Sequence, residues 1–217
     1  MLNLLFQNPL EFVIIAVLLV MAISVHEFAH AAVADRLGDP TPKLAGRLTM
    51  NPLAHLDLAG SLLLLLVGFG WGKPVPFDSF NLRNPKKDTA LISFAGAFSN
   101  IIIAIFTSFF LQLAAHTPII SLGAFLTDIL STFIYFNILL AVFNLLPISP
   151  LDGFKVVAGL IPEKYYDDWM ELEKYGIIFL LILIFPFFGT PPVVSIISPF
   201  INFISSLLIP SAIGGTI

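Results

Sequence analysis

Residues 90–115, "ALISFAGAFSNIIIAIFTSFFLQLAA", run for 26 positions without a charged side chain. A stretch this long and apolar has few stable fates in a protein of this size, and the simplest is a helix that crosses a bilayer. Two more runs read the same way, 12–34 and 119–146, the latter carrying Asp128 near its start and Asn137 and Asn144 inside. Over all 217 residues, 58% are hydrophobic and only 11% are charged, with a mean hydropathy of +0.97. Soluble domains carry about 25% charged residues. The expected fold class is an all-α polytopic membrane protein of about five to six membrane segments, forming a single domain over residues 1–217.

Shorter apolar segments complicate the count. Residues 56–70 fall short of the roughly 20 needed for a crossing, which suggests a re-entrant segment. The proline-rich "WGKPVPFDSFNLRNPKKD" after it alternates in part and suggests a β-hairpin-like loop beside the membrane. "EKYYDDWMELEK", 163–174, is the most polar stretch and belongs in water or at the interface. Residues 177–188 and 193–209, separated by "GTPP", suggest a C-terminal helical hairpin at about 175–210. The first residues lack the basic start and small-residue cleavage site of a secretory signal, so the first apolar run is expected to stay as a span.

Several function classes drop out on composition. There is no cysteine, which removes disulfides and thiolate metal sites. A net charge of -4 without a dense basic run argues against nucleic acid as a partner.

Against this apolar background, "HEFAH" at 26–30 stands out. His26 and His30, four apart on a helix, share one face and can hold one metal ion between them. Glu27 is badly placed to share that ion but well placed to act as general base on a water beside it. Ionisable side chains within a span are costly unless paired or bound, so this cluster reads as a metal site. A catalytic zinc needs a third protein ligand. Asp152, in "NLLPISPLDG", follows a long span, two prolines and precedes Gly153. It can ligate, or simply cap the next helix. His55 is a weaker candidate, and Asp57 reads as a helix cap.

Topology bears on the choice. If Asp152 and His30 share an ion, the chain crosses an even number of times between them, and 56–70 dips in and returns. All ten Lys and Arg then fall on one side, in 35–89 and 147–175. The positive-inside rule makes that side cytoplasmic, with the N-terminus outside and the metal near the cytoplasmic face of the cell membrane.

With "HEFAH", "SFAGAFSN" at 93–100 and "NLLPISPLDG" at 144–153 on successive spans, the chain resembles the site-2 protease family of intramembrane zinc metalloproteases. The likeness covers residues 10–160 and fits the small prokaryotic members without a PDZ domain. It implies that His26, His30 and Asp152 ligate Zn²⁺, that Glu27 is the catalytic base, and that Asn144 contacts substrate. Asn100 would help pack the middle span. Ala97 and Ser149 stand where that family often has proline. The implied activity is hydrolysis of peptide bonds within or near the transmembrane helices of protein substrates. Two alternatives remain at this level: a membrane metalloprotease completed by Glu163, Glu171 or Glu173, and a non-catalytic metal-binding protein or metal transporter.

Overall fold

Helix boundaries in this chain follow local capping chemistry. The computed structural model describes residues 2–67, 70–116, 123–186 and 189–210. A short helix, α1 (Leu2–Gln7), leads to Asn8, whose side chain accepts the Glu11 N–H and starts α2 (Pro9–Leu37) with proline in the first turn. The helix ends at Gly38, whose φ of +108° suits glycine; the Asp39 N–H then bonds back to the Ala34 carbonyl at 3.0 Å.

Past the small helix α3 (Thr41–Leu44), Asp57 caps α4 (Leu58–Val67) by accepting the Gly60 N–H at 2.8 Å. At 10 residues, α4 extends roughly 15 Å, half the thickness of a bilayer core. Its flanks meet again. Leu56 and Gly72 form an antiparallel bridge, and the Lys73 N–H donates to the His55 carbonyl at 2.8 Å. The segment therefore leaves and returns to the same place.

Where the sequence suggested a β-hairpin-like loop, the described residues hold that one bridge and no ladder. Pro74 and Pro76 bias Lys73 and Val75 toward extended backbone while removing two of the donors a hairpin would use. A turn at 79–81 then leads into α5 (Pro85–His116), which passes Ala97 without a break. Next come α6 (Ala124–Asn144), α7 (Asp152–Leu160), α8 (Tyr166–Glu171), α9 (Gly176–Ile184) and α10 (Pro192–Leu208).

Among the described residues, α2, α5 and α6 are long and apolar enough to cross a membrane, at 29, 32 and 21 residues. They pack side by side, with α7 against α5 and α10 against α6. Ala104, Ile134, Ile138, Ile197 and Ile201 fill the contact between α5, α6 and α10. The outer surface is apolar too: Phe106 and Phe109 are 70% and 66% exposed, whereas Asn100 and Asn137 are fully buried. Apolar outside and polar within suits a protein solvated by lipid.

Candidate active site

His26 and His30 lie on the buried face of α2, one turn apart, with rings 4.6 Å between centroids. Asp152 reaches them from the first turn of α7, after the chain has run through α5 and α6. Its Oδ2 is 3.0 Å from His26 Nε2 and 3.2 Å from His30 Nε2. Leu151 occupies the cap position, so the Asp152 carboxylate faces the imidazoles and does not cap α7. A side chain at Gly153 would collide with the Leu145 and Leu146 carbonyls, so only glycine lets the chain fold tightly enough to present Asp152 here.

The protonation pattern of both rings follows from their partners. His30 Nδ1 lies 2.7 Å from the Ile92 carbonyl, which only accepts, so Nδ1 carries the proton. His26 Nδ1 lies 2.7 Å from Asn100 Oδ1. The Asn100 amide cannot be reversed, because its nitrogen donates to the Ala22 carbonyl at 3.1 Å and to Asn137 Oδ1 at 2.8 Å. Asn137 is fixed in turn by donating to the Phe133 carbonyl. With both Nδ1 atoms so engaged, each histidine turns its Nε2 toward the Asp152 carboxylate.

Asp152 Oδ2 thus stands about 3 Å from two imidazole nitrogens at once, a close approach that a proton or a metal ion among them has to hold. The ligand atoms of His26, His30 and Asp152 all fall within 4.8 Å of one another. Ligands at ~2.0–2.1 Å in a tetrahedral shell stand roughly 3.3 Å apart, close to the spacings seen. The set of two imidazoles and one carboxylate suits Zn²⁺, and both Nδ1–H groups have the outer partners that orient ligating histidines. Gly96 completes the fit: a Cβ there would sit 2.5 Å from His30 Nε2 and 2.6 Å from His26 Nε2.

Glu27 occupies the next position on α2, with its Oε2 accepting the Val75 N–H at 3.1 Å. Between Pro74 and Pro76, that is the one backbone donor available. Arg47, 5% exposed, anchors the same segment by donating to the Ala54, Lys73 and Pro74 carbonyls. Asn144 lies at the end of α6 and donates to the Leu140 carbonyl at 2.9 Å.

The remaining candidates lie elsewhere. His55 is buried but bonds the Thr49 carbonyl through Nε2 and stays outside the metal cluster. Glu163 pairs with Lys86, and neither Glu171 nor Glu173 joins the cluster. Sequence reasoning gave Asn100 a packing role and missed its bond to His26; a lone amide in an apolar span was the available signal.

A search with known family models returned no match, and no solved structure matched the chain. Curated proteins did. The chain is 38% identical over 192 residues to "Putative zinc metalloprotease YwhC" of Bacillus subtilis, covering 87% of this chain and 85% of that protein. It is 28% identical over 190 residues to "Putative zinc metalloprotease Rip2" of Mycolicibacterium smegmatis, covering 82% and 70%. The cofactor these names carry, Zn²⁺, is the one the donor set fits. By its identity to YwhC over nearly the whole of both proteins, the chain belongs to this zinc metalloprotease family.

Proposed function

We propose that the chain is a site-2-type intramembrane protease that hydrolyses peptide bonds within or near transmembrane helices of protein substrates. The observation that carries this is the convergence of His26, His30 and Asp152, with both imidazoles locked to present Nε2, inside a bundle of membrane-length helices. His30 lies seven residues before the end of α2, roughly 10 Å below that end. On this reading the ends of α2 and α7 face the cytoplasm, together with all ten Lys and Arg, and the N-terminus lies outside. The return of residues 72–73 to residues 55–56 supports a re-entrant α4.

His26, His30 and Asp152 would hold Zn²⁺, which supplies Lewis acidity toward a water and a substrate carbonyl. Glu27 takes the proton from the attacking water and delivers it to the departing amide nitrogen. The Val75 N–H keeps one carboxylate oxygen of Glu27 oriented and leaves the other for this transfer. Asn144 would bind substrate backbone after its amide rotates away from Leu140. The substrate helix must unwind locally, since helical backbone is closed to attack. Its freed strand would lie along the 73–77 segment.

The test is metal content and cleavage of a model transmembrane substrate in the same purified samples. Glu27→Gln should keep its zinc and lose cleavage by 10²-fold or more, on the order of a general base's contribution. Asp152→Ala should lose both. Full zinc content in Asp152→Ala would sink the assignment.

A further inference from the structure

A cavity of about 400 Å³ is walled by Val75 and Phe77, by Lys86 and Thr89 of α5, by Lys155 of α7 and by Met170 of α8. It shares two elements with the site. Val75 lines it while its N–H holds Glu27. Lys155 lies three residues after Asp152, on the same face of α7.

The level of the cavity can be read along α5. Ile92, whose carbonyl bonds His30, marks the depth of the metal cluster; Lys86 lies six residues nearer the start of the helix, roughly 9 Å away. An extended peptide covers that distance in about three residues. The wall itself gives a similar measure, since Val75 meets Glu27 and Phe77, two residues on, meets Lys155.

The charges in the cavity are not equivalent. Lys86 is committed to the Ile161 carbonyl at 2.8 Å and the Glu163 carboxylate at 2.5 Å, beneath Tyr166. Glu173 is exposed to solvent. Lys155 places its Nζ 4.7 Å from the Phe77 ring centre and belongs to none of the ion pairs among the described residues. A cation held over an aromatic face and outside any ion pair is able to bind an anionic side chain presented on an extended chain.

We propose that this cavity is a substrate subsite selecting an acidic side chain two or three residues to the cytoplasmic side of the cleaved bond, with Lys155 as the selecting charge. The proposal rests on the intramembrane protease reading, so its test separates binding from cleavage. Transmembrane peptides carrying Asp, Ala or Lys at those positions are titrated against zinc-loaded Glu27→Gln protein and, in parallel, digested by protein with Glu27 intact. The Asp peptide should bind about tenfold more tightly than the Lys peptide, because one gains an ion pair where the other meets a like charge. Lys155→Glu should reverse the order. Lys155→Met, which keeps the stem over Phe77, should flatten it and guards against a misfolded reversal variant. Equal binding across the series overturns the proposal, as does an order that the Lys155 variants leave intact or that follows Glu173→Gln instead. Retained binding order without any cleavage by the Glu27-intact protein supports the subsite and sinks the protease reading.

Discussion

His26 and Asn100 meet at 2.7 Å across the α2–α5 contact, and the amide is held by two further bonds that leave it no alternative orientation. The neutral amide thus fixes which nitrogen of His26 faces Asp152. Removing it in Asn100→Ala frees the ring to take the other tautomer or to turn. Outer partners of this type typically govern 10- to 100-fold in metal affinity. Competition with a calibrated chelator should show zinc binding weakened by about that factor, with helix content unchanged by circular dichroism. Unaltered affinity would reduce Asn100 to a packing residue.

Gly96 sets how closely α5 approaches the two imidazoles. Glycine inside a helix costs about 0.5–1 kcal/mol relative to alanine, so Gly96→Ala should favour the isolated helix. In the folded protein the added methyl meets both Nε2 atoms at 2.5–2.6 Å. The expected outcome is a correctly inserted protein with less than a tenth of the wild-type zinc content. Cobalt substitution should report the loss as a missing or altered visible spectrum. A variant that binds metal normally would mean α5 can retreat without consequence.

The two predictions rest on parts of the structure with different legibility in the sequence. The histidine pair was readable because i,i+4 spacing is local helix geometry. Asp152 was readable from its setting after a long span and two prolines and before Gly153, and sharing an ion with His30 was consistent with all ten Lys and Arg falling on one side. Asn100 and Gly96 were visible as residues but not in their roles, since both act across a contact between helices far apart in sequence. The 72–78 segment misled in part: its alternation resembles a strand, yet Pro74 and Pro76 deny it a ladder and buried side chains of other elements hold it instead.

Arg47 is one of those holders. Arg47→Met preserves the apolar stem and removes every donor to the Ala54, Lys73 and Pro74 carbonyls. Leaving buried acceptors unsatisfied costs about 1–3 kcal/mol each at most, so the segment should loosen while the helices remain packed. Limited proteolysis should then cut near residues 72–77 at least tenfold faster than in wild type. Cleavage of substrate should fall in parallel, as Val75 loses its register on Glu27.

Asp39 fastens the other end of the segment and makes it sensitive to acid. Burial pushes its carboxyl upward, but four donors outweigh that: Thr41 Oγ1 at 2.5 Å, the Asp78 N–H at 2.7 Å, Asn81 Nδ2 at 2.8 Å and the Thr41 N–H at 3.0 Å. The net effect holds the folded carboxyl below its ordinary value of 3.8. The unfolded chain therefore binds the proton more readily, so this contribution to stability is full above the unfolded value and is lost as pH falls through the folded one. Melting temperature in detergent should be flat in this respect from pH 7 to about 5 and should decline below about pH 4. Asp39→Asn turns an amide nitrogen toward groups that donate, so it should melt lower at pH 7 and decline less steeply in acid. An Asp39→Asn protein with the wild-type acid slope would place that sensitivity in other carboxylates.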